Sequence, residues 1–310
     1  QIQLLLYKKG KDITKRKCPI LEHLVTSCPN NGKYQGCLPA CSMTSGFGGA
    51  GAFSDGKFNK TTKFGGWLTD YITPEHLVSL IDYCDQVNLK FGATKEITDP
   101  YTDEVRQIEK QAAGAGLLLL RAEVRHLGTE ENVKILSKIQ NYLMEKGVEF
   151  SFFSDVIDID VVDHQVKGLL LKNGKRIDAK KVVLGVGREG SSYLQKMLKR
   201  HDISFVNNQV DIGVRVETSN VVMQDINKYL YEGKFLFNSS QGTTVRTFCS
   251  NPSGHVVIET ALCWLMDIVF PTRNLVLKTQ ILLSLFLISL RLPLMILINM
   301  PKIWLLWQIV

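Results

Sequence analysis

From Gly46 to Ala52 the chain reads Gly-Phe-Gly-Gly-Ala-Gly-Ala, four glycines and two alanines in seven residues. A backbone this bare lets a ligand come within hydrogen-bonding distance of consecutive N–H groups. Phosphate is the usual guest of such a loop, and a flat aromatic ring is the next candidate. The competing reading is a flexible linker. Linkers, however, alternate glycine with Ser, Thr or Pro between polar neighbours. This run instead holds Phe47 and Phe53 and continues as Ser54-Asp55-Gly56-Lys57. A ligand loop fits better.

The bulk of the chain bounds the classes open to it. Its 310 residues can bury a substantial core, in one large or two ordinary domains. A net charge of +7 is mildly basic. The cluster Lys8, Lys9, Lys11, Lys15, Arg16 and Lys17 has no aromatic interleaving after Tyr7, so it reads as a solvated loop and not as a nucleic-acid patch. Seven cysteines cannot all pair. Cys18, Cys28, Cys37 and Cys41 are separated by nine, eight and three residues and lack the paired short hooks of structural zinc. Reduced thiols are the first reading, with a metal site and a Cys37/Cys41 redox pair as alternatives. The chain opens on Gln1 without a charged-then-apolar leader, and a cytoplasmic protein whose beginning lies upstream is expected.

Six blocks follow one another in order: Gly10-Lys11-Asp12-Ile13; Ser45 to Lys57; Phe64-Gly65-Gly66-Trp67-Leu68-Thr69; His126-Leu127-Gly128-Thr129; Val210 to Glu217; and Arg246-Thr247-Phe248-Cys249. Together they resemble the bacterial NAD(P)/FAD-dependent oxidoreductases described as FAD-dependent dehydrogenases, flavoproteins with a glutathione-reductase-like FAD domain. The resemblance runs from about residue 3 to Glu259. It implies an α/β fold: an incomplete Rossmann-like FAD-binding domain with a β-meander over residues 1–203, then a smaller strand-rich second domain over 204–259. It implies FAD as cofactor, NAD(P)H as hydride source and an unidentified small-molecule substrate. The backbone of Gly46, Gly48, Gly49, Ala50 and Gly51 would approach the pyrophosphate or flavin ring. The backbone of Val156 would meet the adenine, and the loop carrying Gly185, Gly187 and Arg188 would pass near the cofactor. A helix-entry turn with a solvent-facing Arg188 is the plainer reading of that last loop. No catalytic residue can be named, and no metal is expected.

The chain departs from that pattern in two places. The first strand and its G-x-G-x-x-G turn would precede Gln1, so the chain as given is expected to be an incomplete fragment, not competent alone. Gln1 to Tyr7 is then the second strand. Lys8 ends it where an acid usually takes the ribose hydroxyls, and a cation cannot accept from them.

Local signals place further elements. Thr73 and Pro74 open a helix over 73–90, with Leu77, Leu80, Ile81 and Cys84 as a core stripe and His76 exposed in its first turn. A second helix starts at Thr129, with Val133, Leu136, Ile139 and Leu143 on one side and Gly147 closing it. Val148 to Phe153, Val156 to Ile159 and Val166 to Leu171 read as strands. Asn173-Gly174 reads as a type I′-like hairpin turn into Lys175 to Ile177. Lys181 to Val186 reads as a buried strand, Ser191 to His201 as a short helix, and 204–259 as mostly strand, with period-2 alternation from Val210 to Glu217. Arg215 and Arg246 suit either an anionic substrate or surface ion pairs.

Residues 260–310 break with all of this. Of residues 281–310, 22 of 30 are apolar, and Asp267 is the one acid after Glu259. Ile281 to Met300 is long enough to span a bilayer, so a C-terminal membrane anchor is one reading. Out-of-frame translation is the preferred one. With AT-leaning codons, a single frame shift turns Trp264 to Ile268 into V-N-G-H, Lys278 to Ile281 into N-T-N-F, and Asn299 to Ile309 into Y-A-K-N-M-A-T-L-A-N. All three are stretches expected of the family. Such a tail would have no evolved partner face. The shift needs a single A lost from an A-run at Glu259/Thr260, so resequencing the DNA across codon 259 tests this, and an intact run in the frame as read rejects it.

Overall fold

The computed structural model describes residues 3–19, 22–26, 37–187, 190–205, 212–252, 255–259, 264–268 and 279–287. The elements in chain order begin with β1 (Leu5–Tyr7), β2 (Lys57–Lys60), α1 (Pro74–Lys90), α2 (Asp103–Gly114), β3 (Leu118–Leu120), β4 (Glu123–His126) and α3 (Thr129–Glu145). Next come β5 (Glu149–Ser151), β6 (Val156–Val162), β7 (Gln165–Leu171), β8 (Arg176–Asp178) and α4 (Ser191–Arg200). The series ends with β9 (Ile212–Ser219), α5 (Asn220–Leu230), β10 (Lys234–Asn238), β11 (Thr244–Asn251), β12 (His255–Glu259), β13 (Trp264–Ile268) and β14 (Thr279–Leu287). The result is a mixed α/β protein with several small sheets.

Two units divide the chain. The first comprises Gln1–Ala52 and Leu136–Val206. In it β1 runs parallel to β5, Leu5 opposite Glu149 and Tyr7 opposite Ser151. Parallel neighbours need a crossover, and α3 leads directly into β5. Gly147 ends that helix as its sequence demands. At φ +86° its amide donates to Met144, and that of Val148 donates to Leu143, the paired bonds of a Schellman cap. β6, β7 and β8 form an antiparallel meander.

Two expectations for this unit are corrected. The primed two-residue hairpin turn is not Asn173-Gly174 but Asp163-His164, where both residues have positive φ (50° and 58°). At the other turn only Gly174 does. The Asn173 side chain instead accepts from the Lys175 amide, giving a longer loop closed by one left-handed glycine. Lys181 to Val186 is not a strand, and Val183 is 95% exposed. A buried strand needs hydrogen-bonded neighbours at its edges and packed layers over its faces, and among the described residues 181–186 joins none of the sheets.

The second unit comprises Phe53–Ile135 and Asn207–Val310. Its main sheet has the order β3-β10-β11-β14-β9, with antiparallel neighbours throughout. Val105 and Ala112 of α2, Leu119 of β3, Leu230 of α5 and Phe235 of β10 form its buried core. The sequence reading had not placed α2 or α5, and α5 interrupts a stretch expected to be mostly strand. β2 pairs with β4, Lys57 opposite His126.

α1 begins as expected, with Pro74 in the first turn and the Thr73 hydroxyl accepting from the His76 amide. Its predicted apolar stripe is corrected in part, since Leu77 and Ile81 are half-buried. Leu80 and Cys84 are exposed, and the buried positions are Asp85 and Asn88. Asp85 takes Arg125 of β4 in a two-bond pair at 2.6 and 2.8 Å, so polar pairing, not an apolar stripe, fixes this helix face.

Within 260–310, β13 pairs with β12, and β14 lies between β11 and β9. The sequence had offered this stretch no partner. Main-chain pairing requires no evolved side-chain pattern, so the reading frame remains a question for the DNA. The membrane-helix alternative is not supported: Ile281 to Leu287 is extended strand, and 288–300 lies outside the described residues. No helix among those described is long and apolar enough to cross a membrane.

Candidate functional site

The glycine-rich bend sits in the first unit, clamped from behind. Arg16, 4% exposed, donates to the carbonyls of Ser42 (2.8 Å), Met43 (2.9 Å), Gly49 (2.7 Å) and Phe47. Burial pulls its pKa down to about 10, with Cys41 opposing the shift. Gly46 bridges to Lys11, and Phe47, whose amide donates to Lys11, packs edge-on against Phe150 with ring centroids 5.6 Å apart.

The glycines of the bend then fall into two kinds. A Cβ on Gly46 (φ +118°) would lie 2.4 Å from the Lys11 carbonyl oxygen, and one on Gly48 (φ +81°) 2.9 Å from Leu136. Those two are glycines because the fold is tight there. A Cβ on Gly49 or Gly51 would meet nothing within 4 Å. Gly49 still needs its left-handed φ of +58°. Gly51 needs neither space nor a special φ, and it is exposed in the short 3-10 turn Ala50–Phe53.

The other sequence candidates lie on different elements of this unit. Val156 opens β6 opposite Leu171. Gly185 and Gly187 lie outside the strands, with open space where a Cβ would point. Arg188 lies outside the described residues. Lys8 is half-buried, and burial, then the charge of Arg16, holds its pKa below the usual lysine range. Cys18, Cys37 and Cys41 form no disulfide and are half-buried, while Cys28 lies outside the described residues. Among those described, no group of three or more His, Cys, Asp and Glu side chains is placed to hold a metal.

A second constellation lies in the second unit. The Asp55 carboxylate, 3% exposed, meets Nε2 of His126 at 2.8 Å and the hydroxyl of Tyr231 at 2.7 Å. Tyr231 also lies 2.7 Å from that Nε2 and stacks on the imidazole, with centroids 4.0 Å apart. Burial alone would raise the Asp55 pKa, but the His126 hydrogen bond and the charge of Lys57 outweigh it and hold the carboxyl low. Burial, then Asp55, raises the Tyr231 phenol, which therefore stays a proton donor. Lys57 is anchored on Glu232 (2.7 Å), Asn251 (2.8 Å), the Ser250 carbonyl (3.0 Å) and Cys249 (3.1 Å). Burial opposes its charge, yet Cys249, Glu232 and Asp55 raise its pKa. Lys234 lies between the rings of Phe64 and Phe248, its Nζ 4.8 and 4.6 Å from their centroids, and burial lowers its pKa against Glu232. Arg246 stacks on Phe248 and reaches the Phe64 carbonyl.

Tyr231 itself is strained. At φ 55°, ψ −52° it centres a γ-turn in which the Glu232 amide donates to Leu230. This rare conformation costs about 1–3 kcal/mol and persists where surroundings over-determine it. Asp55, Lys57, His126 and Cys249 all stand in blocks singled out in the sequence, which gave no sign that they meet. Tyr231 and Glu232 carried no such mark. Gly233, a helix-stop signal just after them, could have located the end of α5.

No family model matches the chain. A Clostridium beijerinckii protein described as uncharacterized is 26% identical over 225 residues, covering 73% of this chain and 33% of that protein. The chain thus spans about a third of that relative's length. Among solved structures, L-amino acid deaminase from Proteus vulgaris aligns with 79% of this chain and 60% of its own, at 11% identity and a TM-score of 0.37. The deglycating fructosamine oxidase from Aspergillus fumigatus aligns over 86% and 67%, at 14% identity and 0.32. Glycine oxidase from Bacillus cereus aligns over 78% and 71%, at 14% and 0.32. Scores this low carry no argument, so the reading of the site rests on the chain's own residues.

Proposed function

We propose that the chain belongs to an FAD-dependent oxidoreductase and that the Gly46–Gly51 bend is its nucleotide loop. The observation that carries the reading is Gly51. It is a glycine that neither packing nor backbone conformation requires, beside an equally open Gly49. A position where a Cβ would have no protein atom within 4 Å leaves room for a ligand to approach the main chain. The residues fit a flavin nucleotide: Gly48, Ala50 and Gly51 would let it approach their backbone, Gly49, whose amide donates to Gly46, turns the chain, and Gly46 sets the bend. Arg16 fixes the carbonyls behind it, leaving the face free of side chains. Val156, Gly185, Gly187 and Arg188 would line the remainder, as the sequence resemblance implies.

When bound, FAD supplies two-electron redox chemistry, and the chain's residues bind and orient it. NAD(P)H as hydride source belongs to the same proposal. The described cysteines at positions 18, 37, 41, 84 and 249 form no disulfide, which suits the reducing, cytoplasmic setting of this proposal.

The test is optical. The chain, with the coding sequence upstream of Gln1 restored, is mixed with FAD, freed of unbound cofactor and read in the visible. Retained flavin bands are expected, together with their loss in Gly51→Val at unchanged circular dichroism, since a Cβ at that position meets nothing within 4 Å. A colourless extended wild type overturns the reading.

A further inference from the structure

The flavin reading makes no use of the buried constellation in the second unit, and the chemistry of that cluster stands without it. We propose that Asp55, His126 and Tyr231 form a proton-transfer centre in which Nδ1 of His126 is the reacting atom and the substrate carries a hydroxyl or amine hydrogen.

The argument begins with the carboxylate. Ionised Asp55 can only accept hydrogen bonds. Its two oxygens face one donor each, the imidazole Nε2 at 2.8 Å and the Tyr231 hydroxyl at 2.7 Å. Nε2 must therefore carry the hydrogen, and the neutral ring keeps its lone pair on Nδ1. Lys57 does not compete for those oxygens. It stands 3.9 Å from Asp55 and is engaged at shorter range by Glu232, Asn251 and Ser250.

Exposure singles out the reacting group. The Asp55 side chain is 3% exposed and that of His126 is 30% exposed. The imidazole can thus meet solvent while the carboxylate behind it cannot. The backbone is built to hold this pair: Leu127 and Gly128 donate to the carbonyls of Gly56 and Asp55, locking the strand carrying His126 beside the turn carrying Asp55. The γ-turn at Tyr231 is the independent sign. A residue there for packing alone would be cheaper as Gly or Asn, whereas the tyrosine in that conformation brings its hydroxyl to Asp55 and His126.

The step is a simple proton transfer. The substrate X–H bond breaks, the Nδ1–H bond forms, and the electron pair stays on X. The imidazolium charge then faces the Asp55 carboxylate. Asp55 and Tyr231 are positioning residues, and His126 is the group that touches substrate.

The test uses the full chain labelled with 15N-histidine. Long-range proton–nitrogen correlation at neutral pH reads the His126 tautomer, assigned by its disappearance in His126→Asn. A protonated Nε2 and a bare Nδ1 are expected. Phenol, as a hydroxyl probe, should move the Nδ1 resonance saturably, and acetate at equal concentration should not. In Tyr231→Phe, which keeps the ring, the imidazole loses the hydroxyl that orients it, and the Nε2 and Nδ1 resonances should move toward the averaged values of mixed tautomers. A protonated Nδ1, or equal responses to phenol and acetate, overturns the proposal. Both readings come from the unsubstituted chain, and if His126→Asn fails to fold, replacing each of the other five histidines in turn assigns the His126 signal by elimination. They are independent of flavin retention, so this proposal and the FAD reading can fail separately.

Discussion

Removing the Arg16 guanidinium would orphan four main-chain carbonyls at once, because no water-filled space replaces a side chain that is almost wholly enclosed. Arg16→Met should therefore lower the unfolding free energy by at least roughly 1–3 kcal/mol, the cost of a single unsatisfied buried acceptor, read as a fall in urea midpoint. It should also loosen the bend, whereas Gly51→Ala, placed in open space, should leave stability unchanged. Asp85 makes a sharper case because its effect depends on pH. Hydrogen bonds from Arg125, with burial opposing, hold its carboxyl below the ordinary range. Its folded pKa is thus lower than its unfolded pKa of about 4. The stabilisation is complete above that value and is lost as pH falls through the lowered one. Asp85→Asn takes the carboxylate from Arg125, which keeps the Thr94 and Glu96 carbonyls as acceptors, so at pH 7 it should cost roughly 1–3 kcal/mol. The gap between variant and wild type should narrow in urea titrations run at successively lower pH below about 4. An equal gap at all pH values would mean that the ion pair contributes no charge-dependent stability.

Helix ends and hairpins test a different kind of determinism. Gly147 has no neighbour within 4 Å of where a Cβ would stand, so its one requirement is a left-handed φ. Gly147→Ala should cost about 1–2 kcal/mol, with Gly147→Asn milder, as chemical denaturation would report. Gly168 is the reverse case. Its φ is ordinary, but a Cβ would lie 2.0 Å from the Ile177 carbonyl oxygen, so Gly168→Ala should push β8 off the meander. Faster amide exchange in Leu169 to Leu171 and Arg176 to Asp178 would show it. The first glycine is legible from sequence, because it follows a periodic helix. The second is not, because the atom it avoids belongs to a neighbouring strand. The same contrast divides the two hairpin turns, since Asn173-Gly174 advertises itself and Asp163-His164 does not.

Across the chain, both units are assembled from segments distant in sequence, with Phe53–Ile135 grouped with the residues after Asn207. β14 is the far end of that arrangement, paired on one edge with β11 and on the other with β9. Ending the chain after Glu259 should strip protection from amides in Val245 to Thr247 and Val214 to Glu217. Those of β1 and β5 should keep theirs in the same hydrogen-exchange experiment. Unchanged protection in β11 and β9 would show that β14 takes no part in the sheet.

What the sequence determined by itself was local: the bare bend at Gly46 to Ala52, the start of α1 at Thr73 and Pro74, and the stop of α3 at Gly147. In each case the requirement is met within a few residues of chain, by a cap, a fixed φ or a missing side chain. The tertiary structure alone decided which face of α1 is buried, where Lys181 to Val186 goes, and that Asp55, His126 and Tyr231 share hydrogen bonds. Asp55 and Tyr231 stand 176 positions apart. A buried carboxylate gains its meaning from the donors that reach it, and no spacing along the chain records which donors those are.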